Sequence, residues 1–308
     1  MSGKIQPTRR HVLETGIAAG AMTLFARQID AAESFEPARN VPIPAQAPVT
    51  EGLAELPGTK LWYWDTGGQG VPVVLMHPAS VSSEVWLYQQ PMFATGYRVI
   101  AYSRRGYIRS DPVPATDPGH ASQDLGNLLD FLNVGRCHIV ASAAGCQVSM
   151  DFALSHPERI RSLTLSSGTG GVSDAEYSET LEHIRPVGFD DYPVEFRELS
   201  PAYRASNPEG AARWKAISEA AVTGERRGQT NVNQIVWAAV ERLNLPVLLI
   251  GGDADLYMPP PVMREFLSHL QNGELNIVPE AGHSSYWEQP EIFNRTVLNF
   301  LSRNGLER

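Results

Sequence analysis

From residue 58 onward the chain alternates short unbroken apolar runs with longer stretches whose apolar residues recur at helical spacing, and this alternation constrains the fold more than any single motif. Runs at 60–66, 71–76, 97–102, 137–141, 160–165, 246–251 and 275–278 read as strands. Several are continuous Val, Ile and Leu, the pattern of strands covered on both faces. Stretches at 82–94, 120–134, 144–155, 260–271 and 290–303 read as helices. Within 121–132, Leu125, Leu128, Leu129 and Leu132 fall at i, i+3, i+4 and i+7, one apolar stripe that can face a sheet. Repeated strand–helix order predicts a mostly parallel, doubly wound α/β sheet.

A chain of 308 residues, 43% hydrophobic and 19% charged, can bury a large core and suits one domain with an insertion. The net charge of −9 and the scattered basic residues leave no basic stripe, which argues against nucleic acid as a partner, and nothing in the sequence points to an anionic ligand. Cys137 opens a predicted strand and Cys146 lies past the following turn, so both are expected as free thiols. The eight histidines stand apart, and no Cys or His pairs carry zinc-ligand spacing. Neither a metal nor a cofactor is expected.

The N-terminus reads differently. Thr8-Arg9-Arg10-His11-Val12-Leu13 precedes a weakly apolar run over 16–26, with Ala31 and Ala32 beyond it. This resembles a twin-arginine export signal, so residues 1–34 are expected to be a signal or N-terminal arm of an exported, periplasmic protein. The alternative is a cytoplasmic protein with an amphipathic arm. The run is too short to span a bilayer. Residues 35–57, rich in Pro and Ala without a sustained period, are expected as a linker or surface arm.

His138-Ile139-Val140-Ala141-Ser142-Ala143-Ala144-Gly145-Cys146 joins a predicted strand to a predicted helix. Small residues two positions either side of Ala143 let strand and helix approach closely around a strained central residue, the arrangement that exposes a nucleophile. A register one residue earlier would centre the turn on Ser142, flanked by Val140 and Ala144. Four other stretches accompany it: Val74-Leu75-Met76-His77-Pro78-Ala79-Ser80; Tyr102-Ser103-Arg104-Arg105-Gly106-Tyr107-Ile108-Arg109-Ser110; Gly252-Asp253-Ala254-Asp255-Leu256-Tyr257-Met258-Pro259; and Ala281-Gly282-His283-Ser284-Ser285. Ser155-His156-Pro157-Glu158-Arg159-Ile160 closes the helix after the turn.

Over about residues 58–305 these blocks resemble the α/β-hydrolase family, of the serine esterase or lactonase kind. The resemblance implies an eight-stranded-type, mostly parallel sheet flanked by helices, with core segments 58–168 and 246–308. Residues 169–245, where the strand rhythm stops, then correspond to a small helical cap over the substrate pocket. It assigns Ala143 to the nucleophile position, Asp255 as the acid that orients the base, and His283 as the general base, in the family's chain order. Asp253 is the competing carboxylate. Backbone amides of Ala79 and Ala144 fall at the oxyanion positions, where each donor is worth about 3 to 4 kcal/mol to a tetrahedral intermediate. Pro78 lacks an N–H but is not the donor. His77 is read as a structural loop residue. In the second block Ser103 replaces the family's Asp and Ile108 a Gly, so that loop is read as architecture, the alternative being that Tyr107 or Ile108 touches substrate. Cys146 stands where the family's second Gly is usual.

The need for this set is physical: an imidazole held in one tautomer by a carboxylate takes the hydroxyl proton and returns it to the leaving group. Alanine cannot attack a carbonyl, and loss of the nucleophile from such a unit costs on the order of a millionfold in kcat, about 8 kcal/mol of barrier. Either a serine has been replaced at position 143, or the chain is a natural small-molecule binder on a hydrolase frame. The completeness of the remaining set favours the first. A third reading keeps His283 as the base in cofactor-free chemistry that needs no serine. With serine at position 143, the expected reaction is hydrolysis of a carboxylic ester or lactone, although amides and carbon–carbon bonds beside a carbonyl fit the same machinery. Trp86, Tyr107, Trp214, Tyr257, Tyr286 and Trp287 are candidate pocket residues, which points to a mostly apolar substrate.

Overall fold

The computed structural model describes residues 41–168, 170–225 and 227–305. The expected N-terminal arm, 1–34, and the first part of the expected linker lie outside the described residues. Eight strands form one sheet: β1 (Thr50–Leu56), β2 (Thr59–Asp65), β3 (Val71–Met76), β4 (Tyr97–Tyr102), β5 (Cys137–Ser142), β6 (Ile160–Ser166), β7 (Val247–Gly252) and β8 (Gly273–Val278). Their spatial order is β1-β2-β4-β3-β5-β6-β7-β8. The β1–β2 and β2–β4 pairs are antiparallel; all other neighbours are parallel.

The sequence periodicity explains the layers. Along β3 and β4, Val73, Leu75, Val99 and Ala101 join one core cluster, whereas Val74, Met76 and Ile100 join another. Adjacent side chains point to opposite faces of a strand, so both faces must be covered and the runs are unbroken. The helices are α1 (Gln90–Phe93), α2 (Ala121–Phe131), α3 (Ala144–Ser155), α4 (Ala175–His183), α5 (Val194–Glu198), α6 (Pro201–Ser206), α7 (Pro208–Ala220), α8 (Trp237–Val240), α9 (Pro260–Ser268), α10 (Ser285–Glu288) and α11 (Pro290–Arg303). Leu125, Leu128 and Leu129 of α2 are buried on the face of Val74, Met76 and Ile100, with α3 and α9. Phe293, Val297 and Phe300 of α11 cover the other. Each such side chain contributes roughly 1.5–3 kcal/mol relative to exposure.

Two expectations are corrected. Part of the expected linker is β1, paired with β2 from Thr50↔Asp65 to Leu56↔Thr59 across a turn in which Gly58 has φ +74°. Only Ala54 of this edge strand is buried, so it carries no apolar run to read. The helix expected over 82–94 is instead a 3-10 turn at Ser83–Val85 followed by the single turn α1. Pro91 has no N–H to donate back to residue 87, and the helix cannot run through it. Cys137 and Cys146 are buried free thiols, as expected.

The chain between β6 and β7 carries helices α4 to α8. It is tied down where it returns: the Asp151 carboxylate on α3 accepts from Val232 N at 2.9 Å and Asn233 N at 2.8 Å. No helix among the described residues is long and apolar enough to cross a membrane.

Candidate active site

Ala143 sits between β5 and α3 at φ 46°, ψ −112°, a backbone conformation an L-residue adopts only under constraint, at a cost of order 1–3 kcal/mol. The constraint is close packing. Ala143 N donates to Ser166 O at 2.9 Å, and a side chain on Gly168 would meet Ala143 O at 2.8 Å. Ser142, the alternative centre, is fully buried in β5 opposite Ser166 and does not line the cavity described below. Ala144 opens α3, where the first amides lack intrahelical partners and the helix dipole favours negative charge.

The second part of the site comes from the ends of β7 and β8. Gly252 permits it: a Cβ there would stand 1.9 Å from Ala281 O, so any side chain would drive the two turns apart. Ala254 N donates to Ala281 O at 2.9 Å. Asp255 is thereby placed so that both carboxylate oxygens lie 3.0 Å from His283 Nδ1. The amides of Tyr257 and Met258 donate to Oδ1 at 2.8 and 3.0 Å. Asp253, the competing carboxylate, is exposed.

Burial opposes charge on both partners, yet the pair overcomes it. Against burial, the His283 charge and hydrogen bond, with the two amides, hold the Asp255 carboxyl below its ordinary range. Against burial, Asp255 and Glu198 push His283 up to about 9. The site therefore stabilises an imidazolium, the species a proton-transfer step creates.

Ala143, Ala144, Ala79 and His283 line one cavity of about 600 Å³. The segment between β6 and β7 supplies Arg185, Arg197, Glu198 and Glu219 to its wall. Ala79, Ala144 and Gln147 also line an adjoining cavity of about 320 Å³. Leu181, Val194, Met258 and the alanines give the cavity an apolar lining, beside which these four charged side chains come from a segment without a motif to announce them.

The loop bearing Ala79 is braced from behind. Arg104 Nη2 donates to His77 O and Pro78 O at 3.1 and 3.2 Å, and Tyr107 Oη donates to Ala79 O at 3.1 Å. His77 is fully buried, its Nδ1 2.7 Å from Pro78 O and its Nε2 accepting from Arg104 N at 3.2 Å. Burial, with Arg104 adding to it, holds His77 neutral well below the usual imidazole range. Arg105 makes a buried two-bond ion pair with Asp124, 2.7 Å in each arm.

Among the six expected pocket residues, Tyr257 lines the main cavity, its ring 4.4 Å from that of His283, and Tyr107 lines the adjoining one. Ile108 lines neither. Trp214, Tyr286 and Trp287 are buried in the core instead, with Trp287 Nε1 donating to Gly210 O. Trp86 packs on Tyr286 at 4.9 Å and borders a separate surface cavity. Burying these large rings stabilises the fold, so aromatic content was a poor guide to the pocket.

His283 is also anchored to the helical segment. The buried Glu288 carboxylate accepts from Ser200 N at 2.8 Å and Gly282 N at 2.9 Å, and Ser284 N donates to Glu198 O at 3.1 Å. No group of three or more metal-ligating side chains is found among the described residues.

Residues 73–296 match the family model described as Alpha/beta hydrolase family. A 2-hydroxy-6-oxononadienedioate/2-hydroxy-6-oxononatrienedioate hydrolase from Paraburkholderia xenovorans is 28% identical over 287 residues, 82% of this chain and 93% of that protein. Among solved structures, a thermophilic esterase from Thermogutta terrifontis superposes with a TM-score of 0.68 at 22% identity, covering 82% of this chain and 98% of the esterase. The enol-lactonase from Burkholderia xenovorans gives a TM-score of 0.65 at 21% identity, with 82% and 100% covered. These two likenesses concern the fold.

Proposed function

The chain belongs to the alpha/beta hydrolase family, and from that premise we propose that its site is built to hydrolyse a small-molecule carboxylic ester or lactone by a serine route that Ala143 closes. The observation that carries this reading is the strained backbone of residue 143, φ 46°, kept in the same cavity as a histidine held by a buried aspartate. A methyl group gains nothing from that conformation; a hydroxyl would be presented to the imidazole. With serine there, His283 takes its proton as it attacks, the Ala79 and Ala144 amides receive the oxyanion, and water activated by His283 then releases the acyl group. The alanine form binds substrate, and the loss of this route costs about a millionfold in kcat.

The names of the relatives support hydrolysis beside a carbonyl, and that of the Paraburkholderia protein specifies a dioate, an anion that Arg185 and Arg197 in the cavity wall can receive. The helices α4 to α8 act as a cap, supplying that wall. The twin-arginine-like N-terminus supports export. The test is Ala143→Ser assayed on 4-nitrophenyl esters and aliphatic lactones, with and without a carboxylate on the acyl chain. Activity that vanishes with an added His283→Ala supports the reading. No activity on any substrate from a folded Ala143→Ser protein favours a binder.

A further inference from the structure

Glu198 is a carboxylate the serine route does not use. It ends α5, is 5% exposed, and lines the cavity beside His283, Ala143 and the two oxyanion residues. Its side chain accepts a long hydrogen bond from Ser284 Oγ at 3.5 Å, the Ser80 hydroxyl is a second donor beside it, and no ion pair is found for it among the described residues. A buried carboxylate has room for about four hydrogen bonds and is costly to leave underfilled. One that borders a cavity is completed by a donor inside the cavity. Ser284 and Ser80 fill only part of that capacity, and the donor that fits the cavity side is water.

We propose that, in the chain as it stands, Glu198 is the base for direct attack of water on an ester or lactone carbonyl, with His283 as the acid that protonates the leaving oxygen. The water oxygen bonds to the carbonyl carbon while Glu198 takes one water proton. The carbonyl oxygen becomes an oxyanion received by Ala79 N and Ala144 N. Collapse breaks the carbon–oxygen bond to the leaving group, and the His283 imidazolium gives that oxygen its proton. Ester and water become acid and alcohol, and transfer of the proton from Glu198 to His283 through water restores the starting forms. No acyl-enzyme forms.

The local charges fit this division of labour. His283, raised to about 9, carries its proton at neutral pH. The Glu198 carboxyl is itself raised, by burial first and by Asp255, against the lowering influence of His283, the Ser80 hydroxyl and Arg197. Arg185 and Glu219 face the same cavity, Tyr257 and Tyr286 feel the Glu198 charge, and Glu288 packs beneath the histidine turn.

The inference shares the oxyanion pair with the serine reading but not its nucleophile, so the two fail separately. The experiment measures kcat/KM of the unaltered chain on ethyl butyrate, whose alkoxide cannot leave without a proton, by acid release against pH, then repeats it with Glu198→Gln. The expected profile is a bell, its acid limb lost as Glu198 protonates and its alkaline limb lost as His283 deprotonates through about 9. Glu198→Gln is expected to lower the rate about a hundredfold, within the range for general base catalysis. Residual rate from binding and oxyanion donors alone would ignore that substitution. A change within twofold in a folded variant, a profile that only rises with pH, or no turnover above buffer overturns the proposal. Should Glu198→Gln fail to fold, the profile of the unaltered chain decides. An inactive Ala143→Ser protein beside an intact bell would sink the serine reading alone.

Discussion

The carbonyl oxygen of Met76 occupies the space a side chain on Gly145 would need, 2.6 Å from where its Cβ would lie. The obstacle is backbone from the central strand β3, and it cannot rotate aside. Gly145→Ala therefore pushes α3 off the sheet and disturbs the turn at Ala143. The expected cost is roughly 1–3 kcal/mol, as for overpacking elsewhere, read as a lower midpoint in urea with an unchanged slope.

Glu288 holds two buried amides from different parts of the chain, Ser200 N and Gly282 N. Glu288→Ala leaves both without an acceptor, a penalty of about 1–3 kcal/mol for each. Thermal unfolding is expected to show a loss near the sum, whereas Glu288→Gln, which keeps one acceptor oxygen, is expected to lose about half.

His138 is fully buried, with Nδ1 2.7 Å from Ser162 Oγ, and burial, aided by Arg161 and Arg136, lowers it to about 4. Its folded value lies below the unfolded value near 6.5, so the stability it confers is complete above about pH 6.5 and is lost as pH falls toward 4. The window corresponds to about 3 kcal/mol. Chemical denaturation at pH 7 and pH 4.5 is expected to show this loss, and His138→Gln, which keeps a polar partner for Ser162 without titrating there, is expected to flatten it.

Ala143→Ser should show the opposite alkaline behaviour from the water route. A serine mechanism needs neutral imidazole, and His283 is raised to about 9. Its kcat/KM is expected to climb about tenfold per pH unit below that value and level off above it. A plateau already reached at pH 6 would mean that Asp255 and Glu198 do not hold the proton on the ring.

The strands β3 to β7 were legible because burial on both faces writes itself as apolar sequence, whereas the edge strand β8, with Val278 alone buried, showed only the short run over 275–278. Strand β1 was not legible, since an edge strand with Ala54 alone inside looks like a polar linker. Asp255 and His283 could be paired because their turns resemble those of the family, and the structure places Gly252 and Gly282 where the backbones nearly touch. Glu198, Arg185 and Arg197 could not, as their approach to His283 depends on how α4 and α5 lie over the sheet and leaves no local pattern. Trp214, Tyr286 and Trp287 misled for a related reason: ring size signals burial, and core and pocket bury rings alike.

The most direct test of the central claim is the intact mass of the protein after exposure to a fluorophosphonate, which bonds to an activated serine. The account predicts no adduct on the chain as it stands and one on Ala143→Ser, mapped to position 143 and abolished by adding His283→Ala. An adduct on the unaltered chain at Ser142, or none on a folded Ala143→Ser protein, would contradict it.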